Sequence, residues 1–331
     1  LDEDQIDWNV STSGVTSITI TVPEAERHDS TENSGVRWLA GADCSSYIWD
    51  LSFKGTIIEW IEFDFNGYRR TTKSNPALQI SSAQTGTPTE FVRNIFIHSH
   101  GTGATSGAVG SWAVGSTQSS RSYALLNFMA YFSEQDEGTG SPARAVYSRD
   151  DKDQLHNITV HDCERQDGGS TGEVYGVEFT NMSATAKNIV ATDIVDTVGT
   201  LNERQDIHIQ TASNADYFTT SDDTGDDHGN GNSNINVTSS DEYVSSTAPF
   251  DLTPKAGGTI EDGGEDQGTT PSGVEVDLKG RDRDAEGDTW SIGAIQYVSS
   301  GTTVNVPTVS LDLAVVVPSI SEVVDVPTPS L

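Results

Sequence analysis

Basic residues are scarce: 18 Lys and Arg stand against 50 Asp and Glu, which gives a formal charge of −32. A surface of that sign repels phosphate backbones, so nucleic acid is excluded as a partner. Cysteine is nearly absent. Two residues, Cys44 and Cys163, do not make a disulfide framework, and they are expected as buried free thiols. Long apolar runs are also missing, and no stretch reaches the roughly 18 residues that a membrane-spanning helix needs. Helical periodicity is absent as well, whereas Gly, Ser, Thr, Asn and Asp recur throughout; many short strands joined by turns are expected, in an all-β chain. The chain opens Leu1-Asp2-Glu3-Asp4, without an initiator Met or a signal-peptide pattern, and is expected to be a processed or partial product.

What is present is a repeat. An Asn followed by large apolar, any, apolar, then His, Tyr or Thr starts at Asn94, Asn127, Asn157, Asn188 and Asn234, with a looser copy at Trp60. These starts are 34, 33, 30, 31 and 46 residues apart. A second series centred on Leu78, Ala113, Val146, Val177 and Ile209 keeps step, at separations of 35, 33, 31 and 32. Two strand tracks at one period of about thirty residues are what a solenoid produces when each coil carries the same strands. Alternate residues such as Ile95 and Ile97, or Ile158 and Val160, then face inward and their neighbours face solvent. The first Asn of each copy forms a ladder of stacked amides along the axis. The 46-residue interval is read as an insertion, the acidic and Gly-rich loop from Asn214 to Asn232.

The expected organisation is an N-terminal cap over residues 1–50, a parallel β-helix over 51–250, a closing segment over 251–300 and an extended Val-Pro-rich tail over 301–331. The cap contains the alternating run Val15-Thr-Ser-Ile18-Thr-Ile20-Thr-Val22, and covering an end coil protects its open strand edges. In the closing segment, Asp277-Leu-Lys-Gly280-Arg281 leads to Trp290-Ser-Ile-Gly293-Ala-Ile-Gln-Tyr297. This resembles the closing motif of right-handed parallel β-helix proteins of the pectate-lyase-like superfamily, Asp-x-x-Gly-x-x-Arg followed by Asp-Ile-Gly-Ala-x-Glu-Tyr. The chain departs from it with Ser291 for Asp and Gln296 for Glu, and with the arginine read as off the ideal spacing at Arg281 and Arg283. The resemblance implies the fold and does not carry catalytic residues across.

The tail repeats Val-Pro-[Ser/Thr]-x-Ser at Val306, Val317 and Val326. Regular prolines and β-branched residues favour extended chain. Such units are able to add as an extended edge to a neighbouring subunit, so Val306, Val317 and Val326 are the candidate partner-binding positions of a homo-oligomer, a trimer being favoured. Coil bodies followed by Val-Pro units resemble virion-associated proteins of tailed viruses, and a lysine-poor, carboxylate-rich surface resembles proteins of extreme halophiles.

Candidate chemistry lies in two places. The fifth position of the repeat reads Asp64, His98, Tyr131, His161, Thr192 and Thr238, a stripe whose members lie about 4.8 Å apart in stacked coils. An Asp beside a His is an acid/base or metal-ligand pairing, and equally the polar strand end of any solenoid. The loop carrying Asp222, Asp223, Asp226 and Asp227 offers oxygen ligands for Ca²⁺ or another hard cation, without the ordered spacing of an EF-hand. No organic cofactor is expected. The reading is a non-enzymatic structural protein on a virion surface or outside the cell: a tail fibre, spike or capsid decoration that meets other virion subunits and a host glycan or protein. The alternatives are a secreted polysaccharide lyase or hydrolase, with Arg165 and Arg204 the nearby basic residues, and a cell-surface adhesin.

Overall fold

A computed structural model describes residues 6–7, 17–39, 49–51, 53–64, 69–70, 78–81, 88, 90–98, 101–102, 113–116, 121–135, 143–165, 173–180, 185–196, 203–209, 215–224, 233–285 and 289–298. The tail with Val306, Val317 and Val326 lies outside them, as do Cys44, Asp226 and Asp227. Among the described residues no helix is long and apolar enough to cross a membrane.

The chain is all-β with two large parallel sheets. Strands alternate between them. The smaller sheet runs Ile6–Asp7, Trp49–Leu51, Leu78–Ile80, Val114–Gly115, Ala143–Ser148, Glu173–Phe179, Glu203–Ile209, with every pairing parallel. The larger sheet runs Ile18–Ile20, Thr56–Glu59, Phe91–Arg93, Ala124–Gln135, Gln154–Arg165, Thr185–Thr192, Ala215–Thr220, Ser233–Asn234, also in parallel. Arg37–Leu39, Glu62–Asp64 and Phe96–His98 extend it beside Ala124–Gln135.

Register sharpens the sequence reading. In the smaller sheet the aligned residues are Leu78, Val114, Val146, Val177 and Ile207, so the second series is off by one at Ala113 and by two at Ile209. In the larger sheet Asn188 falls opposite Tyr217, because Lys187 pairs with Asp216 and Ile189 with Phe218. The expected insertion at Asn214 to Asn232 therefore contains a further strand of the same sheet. Its repeat starts 29 residues after Asn188, since 217 − 188 = 29. Asn234 pairs with Thr219, two positions later in the repeat, and is not a member of the Asn ladder. A Tyr at the marker position is why the pattern hid this copy.

The marker residues share an unusual backbone. Trp60, Asn94, Asn127, Asn157, Asn188 and Tyr217 all have φ between 49° and 66°. Asn tolerates this left-handed conformation better than most side chains, because its short amide bonds locally. One such residue resets strand alternation. Leu125, Phe128 and Ala130 all face the core, three apart across Asn127 and two apart after it. Leu155, Ile158, Val160 and Ala186, Ile189, Ala191 repeat the arrangement, and the smaller sheet closes this core with Leu78, Val114, Val146, Val177 and Ile207.

The opposite face of the larger sheet is not solvated. Phe96, Met129, Tyr131 and Val190 are buried in a second cluster with Tyr243, Leu252, Ile260, Leu278, Ile292, Ala294 and Ile295. The expectation that neighbours of the inward residues meet water fails here because residues 236–285 and 289–298 cover them. Parallel pairing ends at Asn234, and the covering segment has little regular structure: a turn of helix at Ser239–Glu242 and an antiparallel pair, Tyr243–Ser245 with Asp251–Pro254.

Candidate functional site

Four asparagines join the sheet to its cover. Asn157 Nδ2 donates to Asn127 Oδ1 at 2.9 Å and Asn188 Nδ2 to Asn157 Oδ1 at 3.0 Å, an amide ladder one residue per repeat. Each amide also reaches the covering segment. Asn94 donates to the Asp277 carbonyl (2.9 Å), Asn127 to Gly273 (2.8 Å), Asn157 to Val274 (3.1 Å) and Asn188 to Glu265 (2.8 Å), and Asn188 Oδ1 accepts from Glu265 N. The ladder is thus also a row of anchors for irregular chain whose carbonyls would otherwise lie buried and unpaired.

Asp277, fully buried, organises that cover. Its carboxylate accepts from Lys279 N, from Arg281 N, Nε and Nη2, and from Gln296 N. Arg283 is also fully buried; its guanidinium donates to the Gly293 and Ala294 carbonyls at 3.0 and 2.9 Å and lies over the Trp290 ring. The arginine of the motif is Arg283, three residues after Gly280, so the Asp-x-x-Gly-x-x-Arg spacing is intact. Gln296 Oε1 accepts from Ser291 N, and Ser291 Oγ accepts from Tyr297 N, so neutral groups supply the acceptors at the two departures from the motif. Gly293, with φ of 98°, sits where a Cβ would come within 2.6 Å of Thr159 Oγ1; a side chain there would lift the cover from the sheet.

The polar stripe is real over five members. Asp64, His98, Tyr131, His161 and Thr192 lie in register. Thr238 does not join them, because Ala191 pairs with Thr220 and the chain turns away after Ser221. His161 is engaged at both ring nitrogens, Nδ1 with Thr192 Oγ1 (2.9 Å) and Nε2 with the Ser246 carbonyl (3.0 Å), and its ring meets Tyr243 and Phe250 edge-on.

At the N-terminal end the stripe becomes a charged cluster. Glu62, Asp64 and His98 are buried, with ligand-type atoms all within 4.8 Å of one another. His98 Nε2 lies 2.8 Å from Glu62 Oε1, and the ring packs against Phe96 and Tyr131, which also touch each other. His98 Nδ1 is 3.8 Å from Asp64 Oδ1 and 4.0 Å from Glu32 Oε1. Arg37 Nη1 pairs with Asp64 Oδ2 at 2.9 Å, Asn33 N donates to Glu62, and the Tyr131 hydroxyl donates to Glu32 Oε1 at 2.8 Å. Burial and then this bond to Glu32 push the Tyr131 hydroxyl far above its ordinary range. Neither Glu32 nor Glu62 is marked by the repeat. Glu62 stands two positions before Asp64, at the unrestricted third position opposite Phe96, and Glu32 sits in the irregular turn before Arg37–Leu39.

In the acidic loop, Asp222 caps backbone: Oδ2 accepts from Asp206 N (2.9 Å) and Oδ1 from Thr224 N (3.0 Å), while Asp223 is exposed. Asp206 returns the contact, accepting from Ser221 and Asp222 N, and burial together with the Asp222 charge pushes its carboxyl up to about 7. Cys163 is buried in the inner core, its thiol donating to the His161 carbonyl at 3.8 Å. Comparison with family models, with curated proteins and with solved structures returned no match.

Proposed function

We propose that the chain is a right-handed parallel β-helix serving as a rigid structural protein of a virion surface, a tail fibre, spike or capsid decoration. Two parallel sheets sharing a period of about thirty residues, with strands alternating between them along the chain, support the β-helical reading. The right hand follows the general preference of parallel crossovers.

The observation that carries the structural role is the closure of the larger sheet's outer face. The Asn ladder and His161 direct their polar atoms into the chain's own cover, so this face works as a joint. Strong negative charge keeps such a particle component soluble and turns it from nucleic acid. The tail is the candidate for joining subunits, with a trimer favoured, and exposed loops are the candidates for meeting a host glycan or protein.

Antibody raised against the purified chain, applied as immunogold to particles from the source culture, tests the reading. Regular labelling of virions is expected. Label confined to the soluble secreted fraction, with release of new reducing ends from an acidic polysaccharide, would overturn it in favour of a lyase or hydrolase.

A further inference from the structure

We propose that Glu32, Asp64 and His98 form a binding site for one first-row divalent metal ion, Zn²⁺ being the best fit, with Glu62 as the positioning residue that orients the histidine. Each group comes from a different segment: Glu32 from the turn before Arg37–Leu39, Asp64 from the end of Glu62–Asp64, and His98 from the end of Phe96–His98. An ion there would pin the N-terminal segment to two successive strands of the sheet.

The tautomer is the first argument. A carboxylate only accepts, so the Glu62 contact at 2.8 Å places the His98 proton on Nε2 and turns the Nδ1 lone pair toward Asp64 and Glu32. A carboxylate holding the far nitrogen of a ligating histidine is the usual support of a metal site. Packing against the Phe96 and Tyr131 rings further restricts the imidazole.

Spacing is the second. Ligand atoms about 2.0–2.2 Å from a tetrahedral ion lie roughly 3.3–3.5 Å from each other. The separations of 3.8 and 4.0 Å from Nδ1 to Asp64 Oδ1 and Glu32 Oε1 are too long for hydrogen bonds. Shortening either by about half an ångström brings the imidazole and that carboxylate to ligand spacing. Arg37 holds the other oxygen of Asp64 and Tyr131 supports Glu32, so both carboxylates are already oriented. Glu32 is 43% exposed, which gives an ion access from solvent.

Charge is the third. Glu32, Glu62 and Asp64 are three carboxylates around His98 with Arg37 as the paired cation, a formal 1 − 3 = −2 before the histidine is counted. Glu62 and Asp64 are buried, where uncompensated charge is costly, and a divalent cation offsets it. The imidazole nitrogen selects Zn²⁺, Co²⁺ or Ni²⁺ over Ca²⁺, which takes oxygen ligands only.

Chelator-treated full-length chain titrated with Zn²⁺ by calorimetry, in millimolar Ca²⁺ to mask surface carboxylates, provides the test. One equivalent should bind, the melting temperature should rise, and Co²⁺ should give visible d–d absorption. Glu32→Gln, at a partly exposed turn that leaves the buried network in place, should weaken Zn²⁺ binding at least ten-fold, and Asp64→Asn likewise. Glu62→Gln should weaken it less and alter the Co²⁺ spectrum. Absence of a stoichiometric Zn²⁺ site, or equal affinity in wild type and a folded Glu32→Gln, overturns the proposal, the latter marking adventitious binding elsewhere on the acidic surface.

Discussion

The two faces of the larger sheet obey different rules. Its inner face repeats: Leu125, Phe128 and Ala130, then Leu155, Ile158 and Val160, then Ala186, Ile189 and Ala191, all in one apolar cluster. Its outer face changes along the stack. At the N-terminal end it holds carboxylates and His98 beneath residues 28–37, and in the middle it holds Met129, Thr159 and Val190 beneath residues 236–285 and 289–298. A repeat can dictate the inner face alone, because each copy meets only its neighbours. The outer face is dictated by whatever lies on it, and that chain comes from far away in sequence.

The largest effect belongs to the inner face. Ile158 is completely buried in the centre of the stack, and Ile158→Ala is expected to cost about 2–5 kcal/mol, read by chemical denaturation. An unchanged midpoint would mean that the inner face is not the continuous core described.

The joint between the faces comes next. Asn157 bonds Asn127, Asn188 and the Val274 carbonyl from a left-handed backbone with φ of 58°. Asn157→Ala loses the bonds and strains the backbone, for about 2–4 kcal/mol, whereas Asn157→Gly keeps the conformation and loses only the bonds, for about 1–2 kcal/mol. Equal losses would remove the conformational half of the argument.

The smallest effect lies at the last repeats. Asp206 has its carboxyl pushed up to about 7 by burial and by Asp222. A carboxyl whose folded pKa exceeds its unfolded value takes up a proton on folding. Its contribution is therefore fully present below the ordinary carboxylate range and is lost as pH rises through about 7. Asp206→Asn should gain melting temperature relative to wild type between pH 5 and pH 8. Parallel pH profiles would show that Asp206 does not titrate in this window.

This asymmetry also explains what was legible in the sequence. The period, the inward residues and Asn94, Asn127, Asn157 and Asn188 were readable because each recurs at one spacing. The copy at Tyr217 was hidden because the left-handed position there carries no Asn, and Asn234 took its place in the pattern. The Asp64 and His98 stripe was visible as a column, yet its partners were not: Glu32 lies outside the repeat, and Glu62 holds the third, unrestricted position, opposite Phe96 and Met129 in the next copies. That the asparagines bind a cover as well as one another was beyond any local pattern: residues 265–277 lie some eighty to one hundred and eighty positions away.

The central claim is that residues 236–285 and 289–298 lie fixed along the outer face through the asparagine ladder, and hydrogen exchange reads it directly. The amides of Glu265, Gly293 and Ala294 donate to Asn188 Oδ1, the Asn188 carbonyl and Thr159 Oγ1. They should be protected to the level of the sheet in wild type, and Asn188→Gly should release the Glu265 amide while leaving Ile189 protected. Rapid exchange of all three in wild type, with the sheet amides still protected, would contradict the account.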